Sequence, residues 1–270
     1  MGACTSEKET DNSSKPKEVA SDTLVDSITF HRTSIDVKSE CNGGTENKFT
    51  YQGVFPVATE DTVLNQLLTS ILVQRVGNSF MIEDETDYSH IDSLYKFKPL
   101  LSNWQKTFFD DACEAQDGFD MAMSWEMSLE NDVERNSEGV LTLSFSQYSF
   151  TGGAHGNGSL KYVNVDLHQK KIIGVEDIII DTVAFKKLGE AKMRAFFDLS
   201  EDDSFMEVGL TTEEFPMTDN LGFTENGVIL FYNSYEIGPY SMGTVDLEFT
   251  YEELIGIIKD EYNLKSKPTV

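Results

Sequence analysis

One alternating segment that ends in a glycine-rich turn constrains the fold of this chain most. Residues 141–150 alternate apolar and polar side chains, which predicts a β-strand with one buried face. The strand runs into Thr-Gly-Gly-Ala-His-Gly at 151–156, and residues 160–165 are predicted to form the returning strand. Because glycine adopts positive φ readily and lets two chain segments approach closely, we expect an irregular, tightly folded connection here.

A second irregular segment, residues 235–243, follows a predicted strand at 228–232. This loop is the candidate partner of the glycine loop, and whether the two meet stays open at this point. Tyrosine contributes a large contact area together with a hydroxyl group, so the tyrosines beside the glycines favour a binding surface. The predicted binding residues are Tyr148, Thr151, Gly152, Gly153, His155, Tyr235, Glu236, Pro239 and Tyr240.

The role of His155 stays open at this point between a ligand contact, a general base and a structural hydrogen-bond partner. Glu236 is its candidate partner if the two loops meet, and a His–Glu pair suffices for acid–base chemistry. A hydrolase also needs a nucleophile or metal and an oxyanion donor set. The other histidines, His31, His90 and His168, do not stand at zinc-like spacing. We therefore expect no catalytic residue, metal or cofactor, and favour binding or loop locking over catalysis.

The rest of the chain reads as an α+β protein with antiparallel sheets and helices packed on one face. We expect a hairpin from two strands within 28–55, the first broken near Arg32-Thr33 and the two joined by a turn at 42–44. In the first half we also predict a helix over 63–76 with Thr59 as its cap, a helical region over 89–116 broken at Pro99, a strand over 119–129 and a polar connection over 131–139. In the second half we predict a helix capped by Asp181, an acidic irregular stretch over 200–220 and a strand over 245–249. A terminal helix is predicted to start with the Thr250–Glu253 capping box. Two consecutive subdomains, 26–139 and 140–270, accommodate these elements.

Composition bounds the class of protein. The chain has 270 residues, of which 39% are hydrophobic, and a net charge of −26. Such a charge disfavours nucleic acid and favours cationic partners, or it is dispersed and serves solubility. No stretch of about 18 apolar residues predicts a membrane span. Phosphate-binding glycine motifs of nucleotide-binding proteins are missing from the sequence.

The N-terminus predicts an anchor on a tether. Gly2-Ala3-Cys4 precedes an almost wholly polar stretch, residues 5–22, and resembles the lipidated start of a mature bacterial lipoprotein. The same residues also fit the eukaryotic myristoylation pattern, with Cys4 as a palmitoylation site. We favour the lipoprotein interpretation, with residues 1–25 as lipidation site and tether. The remaining cysteines, Cys41 and Cys113, either pair or stay free.

Two motifs in the C-terminal half carry a family resemblance. They are Tyr148-x-Phe150-Thr151-Gly152-Gly153-Ala154-His155-Gly156, followed by Val163-x-Val165-Asp166-Leu167, and Tyr232-x-x-Tyr235-Glu236-Ile237-Gly238-Pro239-Tyr240 with Gly243. Over roughly residues 140–260 the chain resembles the domain of unknown function 3298, found in RsiV-type anti-sigma factors and PdaC-type peptidoglycan deacetylases. The first half resembles its usual companion, domain 4163.

The resemblance implies an extracytoplasmic module of the cell envelope, in the periplasm or at the cell surface. In RsiV-type proteins this domain binds lysozyme, a small basic enzyme, and an acidic chain suits such a partner. The sequence shows neither a membrane-spanning helix nor a deacetylase domain. We therefore expect a lipid-anchored envelope binding protein that recognises lysozyme or a cell-wall glycan. The alternatives are a peptidoglycan-active envelope enzyme and a structural accessory lipoprotein.

Overall fold

A computed structural model of the chain describes residues 26–41, 45–57, 61–80, 90–116 and 123–264. The predicted tether, Cys4, the turn at 42–44 and Thr59 lie outside these residues. The strands are β1 Phe30–Glu40, β2 Glu46–Pro56, β3 Glu126–Ser137, β4 Val140–Phe150, β5 Asn157–Asp166, β6 Lys171–Ile173, β7 Leu221–Phe223, β8 Gly227–Tyr232 and β9 Val245–Thr250. The α-helices are α1 Thr62–Asn78, α2 Leu94–Gln116, α3 Val175–Ile178 and α4 Thr182–Phe196.

The strands form two sheets, as the predicted α+β class requires. The larger has six strands in the order β1 to β6, and the smaller has the order β7-β8-β9. Every pair is antiparallel except β2 with β3, which are parallel. A parallel pair needs a long crossover, and α1 and α2 lie in the chain between these two strands. The large sheet is therefore mixed, whereas the sequence predicted antiparallel sheets alone.

The two faces of the large sheet are covered differently. Apolar residues of α1 and α2 pack on one face, where Leu141 and Leu143 of β4 meet Leu64 and Leu68 of α1. On the other face the Thr142 hydroxyl donates to Asn164 Oδ1 (2.8 Å), and Asn164 Nδ2 donates to the Leu221 carbonyl of β7 (2.7 Å). Alternation along β4 thus sends apolar side chains to the helices and polar side chains to the small sheet.

Several local predictions hold because their signals are short-range. Helix α1 ends at Asn78, close to the predicted stop. Its N-cap is Asp61 and not the predicted Thr59, because the Asp61 carboxylate accepts a hydrogen bond from the Leu64 amide (3.0 Å). Asp181 caps α4 by accepting from the Ala184 amide (2.9 Å). Each cap satisfies a backbone N–H that has no partner inside the helix.

Strand and helix limits differ from the predictions at four places. β1 is unbroken, since Arg32 and Thr33 pair with Val54 and Gly53; polar side chains on an exposed edge strand do not interrupt its ladder. β3 begins only at Glu126 and includes most of the predicted polar connection. Asn131 is buried in β3, where it accepts from the Tyr51 hydroxyl (2.7 Å) and donates to the Val54 carbonyl (2.9 Å).

The other two differences concern helices. α2 runs through Pro99, because buried apolar residues on both sides of the proline, including Phe97 and Leu101, hold one continuous face. The predicted terminal helix after Thr250 is a series of turns. The Thr250–Glu253 capping contacts form, but Gly256 has a φ of 76°, which a helix does not accommodate.

The boundary predicted between residues 139 and 140 lies in the tight turn that joins β3 to β4. Glu138 and Gly139 both have positive φ there, 55° and 76°, and the two strands pair along their length. Cys41 at the end of β1 is bonded to Cys113 in α2, with 5.1 Å between the Cα atoms. The disulfide, which the sequence left open, fixes α2 to the edge of the large sheet.

Candidate functional site

The glycine loop between β4 and β5 has the backbone that its composition predicts. Gly152 and Gly153 have φ values of 99° and 97°, so any other residue would be strained there. Gly156 has a different role, because a Cβ at this position would lie 2.4 Å from the Tyr148 hydroxyl oxygen. The ring of Tyr148 therefore lies directly against the Gly156 backbone, and Thr151 and His155 remain exposed.

The second loop, residues 233–243, is held by its own acidic residue. Glu236 accepts from the Thr218 hydroxyl (2.8 Å) and from the Asn233 amide (2.9 Å). Tyr235 has a φ of 70°, an uncommon conformation for a tyrosine, and its side chain is 58% exposed. Pro239, also exposed, precedes the short 3₁₀ helix Tyr240–Met242. The loop thus directs two tyrosines outward, one of them from a strained backbone position.

Asparagine side chains fix the second loop against the outer edge of β5. Asn233 Oδ1 accepts from the Leu160 amide (2.6 Å), and Asn233 Nδ2 donates to the Leu160 carbonyl (3.1 Å). The side chain of Asn220 binds the same edge: its Oδ1 accepts from the Tyr162 amide (2.9 Å), and its Nδ2 donates to the Leu160 carbonyl (2.7 Å). β6 pairs only with residues 164–166 of β5, so the two asparagine side chains form the backbone hydrogen bonds that a neighbouring strand would otherwise form along the rest of this edge.

An ion pair lies next to this junction. Lys161 Nζ is 2.6 Å from Asp219 Oδ1, and this contact lowers the pKa of the Asp219 carboxyl below its ordinary value. Sequence reasoning missed Asn220, Asn233 and Asp219. The sequence signal for Asn220 and Asn233 is that each borders a strand of the small sheet, where asparagine side chains often bond to the backbone.

The two loops meet through aromatic rings. The rings of His155 and Tyr240 are stacked, with centroids 3.9 Å apart and planes 13° from parallel. Tyr235 lies beside Tyr240 at 5.4 Å. Its hydroxyl is 3.4 Å from His155 Nε2. We call His155, Tyr235 and Tyr240, together with Tyr148 on the other side of Gly156, the aromatic patch.

Hydrogen bonds define the tautomer of His155. Its Nδ1 lies 2.9 Å from the Gly156 carbonyl oxygen, which only accepts, so Nδ1 carries the proton. Nε2 then accepts from the Tyr235 hydroxyl. The Tyr240 hydroxyl donates to the same Gly156 carbonyl at 3.4 Å. The three tyrosines are exposed by 42% (Tyr148), 58% (Tyr235) and 39% (Tyr240).

The predicted site residues are thus brought together, with one exception in their chemistry. Glu236 belongs to the second loop but bonds to Thr218 and Asn233, so the His155–Glu236 pair considered from the sequence is not formed. Within the described ranges no group of three or more His, Cys, Asp or Glu side chains is arranged to hold a metal ion. His168 lies elsewhere and pairs with Asp26 at 3.1 Å. The patch offers aromatic faces, hydroxyls and one imidazole, which suits binding.

Two family models match this chain. Residues 176–252 match the model described as "Protein of unknown function (DUF3298)", and residues 45–158 match the model "Deacetylase PdaC". The glycine loop lies in the second match and the Tyr235 loop in the first. The DUF3298 match is therefore narrower than the 140–260 expected from the motifs. The resemblance of the first half to domain 4163 stays a prediction.

This chain is similar to one known protein in sequence and to two solved structures in fold. The peptidoglycan-N-acetylmuramic acid deacetylase PdaC of Bacillus subtilis (strain 168) is 20% identical over 151 residues, which are 53% of this chain and 31% of that protein. The chain thus spans about a third of the length of this relative. A crystal structure of a DUF3298 family member from Bacteroides fragilis has a TM-score of 0.67 at 20% identity, covering 91% of this chain and 100% of that one.

The second structure is a DUF3298 family protein from Pseudomonas aeruginosa, with a TM-score of 0.61 at 22% identity over 88% of this chain and 98% of that chain. At these identities both structures establish the fold alone. Across the part of the chain that the structure describes, no helix is long and apolar enough to span a membrane. The chain therefore contains a segment similar to deacetylase PdaC, residues 45–158, and a segment similar to the DUF3298 model, residues 176–252.

Proposed function

We propose that this chain is an extracytoplasmic, lipid-anchored binding protein of the cell envelope, which recognises cell-wall glycan through the aromatic patch. The observation that carries the proposal is the exposed stack of His155 on Tyr240, extended by Tyr235. Aromatic faces pack against the C–H faces of sugar rings. The phenolic hydroxyls and the imidazole provide hydrogen bonds at their rim.

The geometry favours binding over acid–base catalysis. Glu236 is engaged by the Thr218 hydroxyl and the Asn233 amide, and the imidazole of His155 bonds to a backbone carbonyl and a tyrosine hydroxyl. A general base needs a partner that stabilises its protonated form and a substrate proton within reach. The aromatic patch instead presents exposed aromatic rings.

The comparisons support the envelope setting. The similar protein from Bacillus subtilis is by name a deacetylase of peptidoglycan, and the segment matching the PdaC model contains the glycine loop with His155. The Cys41–Cys113 disulfide suits an oxidising compartment outside the cytoplasm. The anchor predicted at Cys4 is a separate part of the proposal. Cys4→Ala should release the chain from the membrane fraction of a bacterial host.

A binding assay with purified peptidoglycan tests the glycan proposal. Tyr240→Ala and Tyr235→Ala should each weaken binding by about tenfold, the effect of losing a central aromatic contact. Tyr95→Ala is the matched control, because Tyr95 lies on α2 outside the patch and is 86% exposed. Equal binding by wild type and both patch variants would exclude the patch as the site. Glycan cleavage or deacetylation that is lost in His155→Ala would instead favour the enzyme alternative.

A second candidate ligand is a basic protein such as lysozyme, which the net charge of −26 favours. Electrostatic attraction of this kind acts over several ångströms and is screened by salt. Lysozyme binding should therefore weaken steeply between low and physiological ionic strength. Affinity that does not depend on salt, or no detectable complex at low salt, would remove charge as its basis.

A further inference from the structure

A small polar cavity lies on the helix-covered face of the large sheet, away from the aromatic patch. It has a volume of about 140 Å³ and lies between the last turn of α1 and strands β3 to β5. Apolar side chains line part of it, and its polar lining comprises Arg75, Asn78, Ser79, Glu130, Ser146, Gln147, Ser159 and Lys161. Consecutive residues of a strand point to opposite faces, so Gln147 faces the cavity while Tyr148 faces the patch.

Arg75 is exceptional among the arginines of this chain. The other three, Arg32, Arg135 and Arg194, form ion pairs with Asp132, Glu138 and Glu190. Arg75 forms none within the described ranges, although the chain carries 47 acidic against 21 basic residues. Its place in the last turn of α1 accounts for a positive charge through the helix dipole. It does not account for five guanidinium N–H donors left beside a cavity.

Lys161 adds a second positive charge to the lining. Its side chain is 29% exposed, and its partner Asp219 is 87% exposed, so the acid lies on the solvent side of the pair. Asp219 also lies near enough to Arg75 for the guanidinium to lower the pKa of its carboxyl. Glu130 and Ser146 pair across β3 and β4 and point to the opposite face from Gln147, so they add no charge or hydroxyl to the cavity. Ser159 and the amide of Gln147, which also donates to the Ser79 carbonyl (3.4 Å), provide neutral donors. The cavity therefore presents the guanidinium of Arg75 beside Lys161 in a strongly acidic protein.

We propose that this pocket binds the carboxylate of a small organic acid, with Arg75 as its principal contact. A guanidinium offers paired N–H donors that match the two oxygens of a carboxylate. The volume equals that of about five waters, which accommodates a carboxylate on a short carbon branch. Two sources present this chemistry, the acid branch of a sugar acid and the C-terminus of a short peptide.

Calorimetric titration with matched probes tests the pocket. N-acetylmuramic acid is compared with N-acetylglucosamine, which lacks the acid branch, and N-acetyl-D-alanyl-D-alanine with its C-terminal amide. At least one acid should bind about tenfold more tightly than its neutral counterpart, because a charged hydrogen-bond pair is lost in the latter. Arg75→Gln should weaken that binding by a similar factor. Lys106→Gln, which removes an exposed lysine of α2 paired with Asp110, should leave it unchanged.

The outcomes separate this inference from the glycan proposal. Tyr240→Ala should keep carboxylate binding intact, since the patch lies on the other face of β4. The inference is wrong if neither acid binds, if acid and neutral probes bind equally, or if Arg75→Gln binds as wild type. Tighter binding of inorganic phosphate than of both acids would overturn the carboxylate assignment. If Arg75→Gln fails to fold, Lys161→Gln supplies the same comparison.

Discussion

The amide side chain of Asn233 holds the aromatic patch together, and its removal gives the sharpest test of the site. In Asn233→Ala the Leu160 amide loses its acceptor, at 2.6 Å, while the Leu160 carbonyl keeps the bond from Asn220. One partly buried N–H is therefore left without a partner, which costs about 1–3 kcal/mol of unfolding free energy. The second loop also loses its connection to β5, so Tyr235 and Tyr240 lose their fixed position over His155.

Both consequences are measurable in the same protein. Urea unfolding should show the loss in stability, and the melting temperature should fall by about 2–4 °C for each kcal/mol in a chain of this size. Peptidoglycan binding should weaken at temperatures at which the variant stays folded. Asn103→Ala, an exposed asparagine within α2, is the matched control and should change stability by less than about 0.5 kcal/mol. Wild-type stability and binding in Asn233→Ala would refute the role of the asparagine side chains.

Three further predictions follow from the described contacts. Gly156→Ala should displace Tyr148, whose ring atoms lie 2.5 Å from the added Cβ. We expect a clear loss of ligand affinity with only a small fall in melting temperature. Unchanged affinity would place Tyr148 outside the binding site. Replacing Cys41 and Cys113 by serine removes a crosslink between residues 72 positions apart and should lower the unfolding free energy measured in urea by about 4 kcal/mol. A loss below about 1 kcal/mol would contradict this expectation. Burial raises the pKa of Tyr251 from 10.0 to about 12, so its neutral form stabilises the fold below pH 10 and this contribution is lost as the pH rises toward 12. Tyr251→Phe should therefore show a shallower decline in melting temperature at alkaline pH. An identical decline in wild type and variant would exclude Tyr251 as a cause of alkaline destabilisation.

Local patterns predicted much of the fold because their causes lie within a few residues. Alternation located β4 and β5, Asp181 located the start of α4, and positive φ was correctly expected at the glycine loop. The predictions failed where burial overrode a local preference. Asn131 sits in β3 rather than in a connection, because Tyr51 and Val54 from another strand satisfy its amide.

The candidate site divides in the same way. The sequence indicated both loops and their tyrosines but left open whether the loops meet, and the stack of His155 on Tyr240 shows that they do. It offered Glu236 as the partner of His155, which is wrong, because the Thr218 hydroxyl and the Asn233 amide donate to that carboxylate. Whether the patch binds a ligand stays a prediction.

By itself the sequence determined the class of the fold, the two loops and the acidic character of the molecule. These depend on residue type and on spacing along the chain. Only the tertiary structure decided that Cys41 pairs with Cys113, that Asn233 completes the edge of β5 and that Arg75 is left beside a cavity. Each of these joins residues far apart in the chain, and such contacts are fixed by how sheets and helices pack rather than by any local preference.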